Sequence, residues 1–404
     1  MTSVRLAVIQ LGLIATFCMG GSAVAQIRLA TNGPNATPDP ARDSAFDHFY
    51  NMEYDRATQE FERILDKRPH DAFAVNHLLT SVLIRELYRM GAMNTGEYAN
   101  DSFVGQAHHP ADPKVKERIK QLVARAQRLE EEQLKGNPNN EDALYARGVT
   151  RAQFAVYTAL VERAWFSALR SAVGARHDHE RVLELDPNYL DAKLVVGAHN
   201  YVMGSLPWSV KVAVSLVGLS GSKEKGFQYL REVAKGTGEN TVDAQVVLSL
   251  FLRREHNFDE ARRIMHGLAA RYPRDYLFAL EESNLLRASG HLQEAAAGYR
   301  RVWQMGREGK YGNLHYEMAA WGLGELLRNQ KDYAGAAAAY ELVNEAPDPD
   351  SETRQKANLA AGEMYDLLQK RDLAMKKYQT VLAENSGTPL AEEARKHIRE
   401  AYRE

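Results

Sequence analysis

Four stretches toward the C-terminal end of this chain obey one rule. "NFDEARRIMHGLAARYPRD", "HLQEAAAGYRRVWQM", "DYAGAAAAYELVNEAPDPD" and "DLAMKKYQTVLAEN" each open on a short polar turn. Each then places a small residue, a larger apolar or aromatic residue four later, and another apolar residue three after that. The small residues are Ala261, Ala295, Ala336 and Ala374, spaced 34, 41 and 38 apart. Their partners are Met265 and Leu268, Tyr299 and Val302, Tyr340 and Val343, and Tyr378 and Val381. Offsets of three and four residues put all three side chains on one face of a helix. A second amphipathic helix precedes each unit. "VVLSLFL" sets Leu248, Ser249 and Leu252 on its packing face, "AWGLGELL" sets Leu323, Gly324 and Leu327, and "LAAGEMYDLL" sets Ala361, Gly362 and Tyr365. A small residue there lets two helices of a hairpin approach closely.

The same rule reaches back along the chain. "YDRATQEFERILDKRPHD" places Ala57, Phe61 and Ile64; "ARHDHERVLELDPNYLDA" places Ala175 and Val182; "SKEKGFQYLREVAKGTGEN" places Gly226, Leu230 and Val233. A weaker match surrounds Ala126 and Pro138, and prolines close several units, at Pro69, Pro187 and Pro273. The pattern resembles the tetratricopeptide repeat, a helical hairpin of period 34 with a proline near its end. One hairpin has two apolar faces and cannot bury both alone, whereas stacked hairpins bury them in a continuous core. The expected fold is all-α: a right-handed α-solenoid of about eight such helix pairs with an apolar helical insertion in the middle. "PLAEEARKHIREAYRE" is expected to form a capping helix with a polar outer face, since the last repeat has no successor.

The N-terminus reads differently. "MTSVRLAVIQLGLIATFCMGGSAVAQ" carries Arg5, an apolar run from Leu6 to Met19, and the small-residue site Ala23-Val24-Ala25. That is the form of a secretory signal peptide, expected at residues 1–25, and it predicts export, with the bacterial periplasm favoured over secretion. Cleavage would remove Cys18, so disulfides, cysteine nucleophiles and thiolate metal sites are excluded from the exported chain. Residues 26–44 include "IRLATNGPNATPDP" and are expected to be a disordered lead-in. Divergent repeats with insertions are expected over residues 45–240 and a regular array with its cap over 241–404. The expected joint is "KGTGENT", Lys235 to Thr241, where helix-breaking and capping residues cluster. Charge is nearly balanced, 51 Lys+Arg against 53 Asp+Glu, so nothing points to a general nucleic-acid or anionic-membrane binder.

Two stretches break the period. "RAQFAVYTALVERAWFSALRSAV" lengthens one hairpin, and "GSLPWSVKVAVSLVGLSGSKEKG" interrupts another. In the second, the fourteen residues Leu206 to Leu219 carry one charge, Lys211. They are too few for a bilayer, which takes about 20 apolar residues. The stretch is expected to pack in or against the solenoid's inner face, with Trp208 and Lys211 suited to a membrane or partner interface. The surrounding sequence is similar to the central segment of the tetratricopeptide repeat 39 family and its fungal mitochondrial relatives. The matching positions are Leu206, Pro207, Gly218, Gly221, Lys225, Gly226 and Leu230. The resemblance implies a scaffold or adaptor.

Chemistry is hard to find. His108 and His109 stand in a loop, and His177 and His179 are two apart on a helix, pointing different ways. No HExxH, nucleophile elbow or phosphate loop is present; in "GLSGSKEKG" no lysine follows glycine as a phosphate loop requires, and Ser222 reads as a helix N-cap. No catalytic residue, metal or cofactor is expected, and the chain is not expected to be an enzyme. The expected function is an exported scaffold that binds a partner protein or peptide in its concave channel. The alternative is a lipid or small organic ligand in a channel closed by residues 206–219. Asn76, Arg147, Arg151, Asn200, Asn284 and Asn358, on the first helices of repeats, and Trp208 are the candidate partner-binding residues. Ala57, Ala175, Gly226, Ala261, Ala295, Ala336 and Ala374 are the expected repeat-packing positions.

Overall fold

The computed structural model describes residues 39–93, 109–208, 211, 220–312 and 314–404. The expected signal peptide, loop residues 94–108 with His108, and residues 209–219 other than Lys211 lie outside the described residues, so the packing expected of Leu206 to Leu219 does too. Among the described residues there is no strand: the chain is an all-α solenoid that divides into two compact units after Asn257.

Unit 1 begins earlier than its sequence suggested. Asp39-Pro40 is a helix-start pair, and the Asp39 carboxylate accepts from the Arg42 N–H at 3.3 Å. Helix α1 (Pro40–Tyr50) therefore forms inside the segment expected to be disordered, and it buries Ala45, Phe46, Phe49 and Tyr50. It is followed by α2 (Tyr54–Lys67), α3 (Ala72–Arg89), α4 (Pro113–Gly136), α5 (Glu141–Val156), a π turn over Tyr157–Val161, α6 (Trp165–Leu185), α7 (Ala192–Ser205), α8 (Lys223–Lys235) and α9 (Thr241–Arg254). Successive helices pair as hairpins, α1 with α2 through α7 with α8, and α3 also packs on α5. Ser222 caps α8 by accepting from the Lys225 N–H, as its place in the sequence predicts. The α7–α8 hairpin is close: a Cβ on Gly226 would stand 2.6 Å from the Tyr201 backbone nitrogen.

Unit 2 contains α10 (Phe258–Arg271), α11 (Tyr276–Ala288), α12 (Leu292–Arg307), α13 (Glu317–Asn329), α14 (Tyr333–Leu342), α15 (Ser351–Leu367), α16 (Arg371–Glu384) and α17 (Pro389–Arg399). Each packs on the next, and the first helices of successive pairs, α11, α13, α15 and then α17, are neighbours. Asp275, Asp332, Asp350 and Thr388 cap helix starts through their side chains. Between the two helices of each pair the chain turns through one left-handed residue: Gly290, Lys331 and Gln369 have φ of 85°, 61° and 59°. The repeat motif explains the core. Ala295, Ala336 and Ala374 are fully buried, and so are Tyr299, Tyr340 and Tyr378. Each of these tyrosines sits on a second helix and donates its hydroxyl to the first: to Asn284 at 2.7 Å, Glu325 at 2.6 Å and Asp366 at 2.8 Å. In unit 1, Ala57, Ala175 and Gly226 are buried in the same way, as is Ala261 at the start of unit 2.

Candidate interaction surfaces

In unit 1 the first helices of the hairpins converge on a buried polar hub, so their inner ends are packed shut. The segment expected to be a joint is part of that hub. The Asp191 carboxylate accepts from the Glu239 and Asn240 N–H groups at 3.1 and 3.0 Å. Asn240 Nδ2 donates to the Tyr145 hydroxyl at 2.8 Å. Glu239 is hydrogen-bonded to His77 of α3, and the Tyr50 hydroxyl of α1 reaches Asp243 of α9 at 3.2 Å. Residues 239–243 are thus held by α1, α3, α5 and the start of α7, and the chain divides one helix later. Burial pushes the Asp191 carboxyl up to about 6 against the lowering effect of those two N–H groups. Burial pushes Glu239 up as well, but the charge and hydrogen bond of His77 outweigh it, and its carboxyl lies below the ordinary value.

Of the unit 1 residues expected to face a partner, Asn76 and Asn200 are buried, and Arg147 and Arg151 are half-buried and ion-paired. Asn76 is 1% exposed: its amide donates to the Ala146 carbonyl at 2.9 Å and its Oδ1 accepts from Thr150 at 2.8 Å. Thr150 also meets Glu130 Oε1 at 2.5 Å, and Glu130 is wholly buried with its other oxygen unpartnered. Burial raises that carboxyl to about 7. Arg147 and Arg151 both bind Asp178, each at 2.6 Å. Asn200 is buried and donates to the Val196 carbonyl at 2.8 Å. Its Oδ1 also accepts from the Ser222 N–H at 3.4 Å, so these four tie helices or their caps together, because a polar group on a close-packed helix must be hydrogen-bonded. Trp208 behaves differently: it is 80% exposed, and so is Phe166 at 81%. The two belong to one end of unit 1. Helices α6 and α7 pack through the short connection 186–191, and the charge of Arg176 falls on His199, whose ring burial and that charge hold near pKa 3. Phe166 lies in the first turn of α6 and Trp208 lies three residues past the end of α7, so in this antiparallel pair both stand toward the same end. Trp165 and Leu169 are half-buried beside Phe166, and the cationic Arg170 and Lys211 are exposed.

In unit 2, Asn358 is buried and pairs amide to amide with Asn344, and Asn284 is half-buried between Glu281 and the Tyr299 hydroxyl. The surface feature lies elsewhere. Helix α17 stops at Arg399, short of the capping helix expected to run to the end of "REAYRE". Arg371 ends it by donating to the His397 and Ile398 carbonyls at 2.7 and 2.8 Å. Glu400 is extended, and residues 401–404 then run outside any helix over the carboxyl ends of α15 and α13. The Tyr402 N–H donates to Asp366 at 2.8 Å, and Arg328 donates to the Tyr402 hydroxyl at 3.0 Å with its guanidinium 5.7 Å from the ring centre. His397 meets the same ring edge to face at 5.2 Å, and Glu404 accepts from the Tyr333 hydroxyl at 2.8 Å. Arg328 is also paired with Glu363 at 2.8 Å. Reading the sequence missed these residues. The signal for them is repeat register: Arg287, Arg328 and Asp366 are 41 and 38 apart, the spacing of Ala295, Ala336 and Ala374.

Among the described residues no group of three or more His, Asp or Glu is placed to hold a metal ion, and no helix is long and apolar enough to cross a membrane. His179 is fully buried, with Nδ1 donating to the Ala175 carbonyl at 2.7 Å.

Comparison with known proteins adds to this geometry. Residues 191–348 match the family model Iml2/Tetratricopeptide repeat protein 39. This is a tetratricopeptide repeat protein. No curated protein sequence matches the chain. Solved structures to which this repeat protein is similar include a chain of the APC/C hetero-tetramer Cut9–Hcn1, at 13% identity over 91% of this chain with a TM-score of 0.46; the match spans 57% of that chain. Another is PilF of Pseudomonas aeruginosa, at 13% identity over 63% of this chain and 100% of that one, TM-score 0.37. Yeast Tom70 matches at 12% identity over 89% and 87% of the two chains, TM-score 0.34. A tetratricopeptide-like fold suggests a protein-interaction scaffold.

Proposed function

We propose that the protein is an exported, non-catalytic scaffold that takes up an extended segment of a partner protein on the first-helix side of unit 2. One observation carries the reading. Residues 401–404 already lie there outside any helix, held by side chains of α13 and α15 and by Tyr333 at the start of α14, in the manner of a bound peptide. Unit 1 supports the choice of unit by contrast, since its inner polar residues are consumed by the hub. Export rests on the N-terminal sequence, and the periplasm is the compartment it favours. The test is photo-crosslinking in the native host with the reactive residue at Trp321, half-buried on α13, and a control at exposed Gln304 on α12. A protein adduct at Trp321 and none at Gln304 is expected. No adduct at either would refute the reading.

The exposed aromatic end of unit 1 favours a second contact, with a lipid surface. Phe166 and Trp208 flanked by Arg170 and Lys211 have the composition of an interfacial anchor, rings inward and cations toward headgroups. Co-sedimentation with vesicles containing phosphatidylglycerol should fall about tenfold in a Phe166→Ser, Trp208→Ser variant, each ring being apolar area left in water. Equal sedimentation of the two proteins would remove this reading and leave the scaffold reading intact.

A further inference from the structure

We infer that residues 401–404 are a built-in competitor for the unit 2 site, and that the partner segment carries a tyrosine followed two residues later by an acidic residue. The inference rests on the scaffold reading above and names the chemistry of its partner. Each part of the strap meets a group suited to a peptide. Asp366, whose side chain is 1% exposed, accepts a backbone N–H, which any extended chain supplies. Arg328 and His397 grip an aromatic ring, the one through its hydroxyl and face, the other edge to face. Tyr333 donates to a carboxylate. Arg403, between the two anchors, is exposed and has no partner among the described residues, so that position is open to any side chain.

The strap is also lightly held. Apart from the buried Asp366 carboxylate its anchors are side-chain contacts near the surface, and Ala401 and Tyr402 are only half-buried. It passes α15 and then α13, heading toward α11. There the position equivalent to Arg328 is Arg287, half-buried and without a partner among the described residues. A longer segment following the same path would meet that second guanidinium, which favours a further acidic residue downstream. A tethered strap is present at an effective concentration in the millimolar range, so a free peptide with the same contacts competes poorly until the strap is weakened.

The test uses the full chain and a fluorescein-labelled, amidated peptide of residues 399–404, read by fluorescence anisotropy. Tyr402→Ala should bind the peptide at least tenfold more tightly than the wild-type chain. Adding Arg328→Ala should cancel the gain, and a peptide with alanine at the tyrosine should not bind. Glu404→Ala, which keeps the ring and loses only the Tyr333 contact, should give a smaller gain of the same sign. That variant decides the matter if Tyr402→Ala loses helicity by circular dichroism. No gain in either variant, or a gain that survives loss of Arg328, overturns the inference. A Trp321 crosslink that the peptide fails to compete away in Tyr402→Ala overturns it too while leaving the scaffold reading standing, whereas absence of any crosslink sinks the scaffold reading itself.

Discussion

Replacing Glu130 by glutamine should stabilise this protein above neutral pH, and the hydrogen-bond geometry says by how much. Thr150 has one hydroxyl proton and three acceptors in reach: Asn76 Oδ1 at 2.8 Å, Glu130 Oε1 at 2.5 Å and the Ala146 carbonyl at 3.2 Å. Only one can receive it. A proton on Glu130 resolves the conflict, because the acid then donates to Thr150 and Thr150 donates to Asn76. Burial acts in the same direction, raising the carboxyl from 4.5 to about 7, while Thr150 and Arg147 pull it down. With a folded value above the unfolded one, the stabilising contribution is complete below about pH 4.5 and is lost as pH rises through about 7. The difference of about 2.5 units corresponds to about 3 kcal/mol between pH 4.5 and 8. Glutamine keeps the shape of the protonated acid, donates Nε2–H to Thr150, and does not titrate. Urea unfolding followed by far-UV circular dichroism at pH 5 and pH 8 measures the effect. The variant should match the wild-type chain at pH 5 and exceed it at pH 8 by about 2–3 kcal/mol, close to 1 M in midpoint. Equal midpoints at pH 8 would show that Glu130 is ionised and satisfied in the fold, and the proton assignment would fail.

Gly226→Ala should lose about 3 kcal/mol, since its methyl would meet the Tyr201 nitrogen at 2.6 Å and the Gly197 carbonyl at 2.8 Å, both backbone atoms unable to step aside; thermal unfolding checks it, and an unchanged midpoint would contradict the α7–α8 packing. Gln369→Gly should gain about 0.5–1 kcal/mol, because a left-handed turn at φ 59° strains any residue with a Cβ, less the added freedom of glycine in the unfolded chain; the same change at Lys331 should behave alike, and a loss at both would refute it. Tyr145→Phe should cost about 1 kcal/mol by removing the nearer of the Asn240 amide's two buried acceptors, the other being the Asp191 carbonyl at 3.4 Å, and a neutral result in urea unfolding would mean that the hub tolerates rearrangement.

The parts of this fold that were legible in the sequence are those that repeat. Ala295, Ala336 and Ala374 announce themselves because the same packing problem recurs and takes the same small residue each time. The partner tyrosines follow at a fixed offset, so helix pairs, their number and their order could be read directly. The position of the interaction surface was less legible. Asparagine and arginine on first helices were expected to face a channel; in unit 1 the asparagines are buried and the arginines are engaged in an ion pair. Asn76 and Asn200 satisfy backbone carbonyls, and Arg147 and Arg151 share Asp178. Nothing in the type of a polar residue says whether it is exposed to bind a partner or buried to bind its own chain.

The hub was illegible for a further reason. Its members come from α1, α3, α5, the start of α7 and residues 239–243, and the Tyr50 to Asp243 bond closes across 193 positions of sequence. A repeat rule describes neighbours, because each hairpin buries its faces against the next. Contacts between hairpins that are not neighbours depend on how tightly the stack curls, and that is a sum of small rotations that no single motif encodes. The glycines and asparagine of Lys235–Thr241 illustrate the ambiguity. Read locally they mark a break between helices, and they are one. Whether such a break becomes a joint is decided by what reaches it from elsewhere, here Asp191, Tyr145 and His77, which satisfy its N–H groups and side chains. The strap over unit 2 follows the same logic in reverse. "REAYRE" has the composition of a helix end, and it leaves the helix because Arg371, one hairpin away, takes the carbonyls that a further turn would have used.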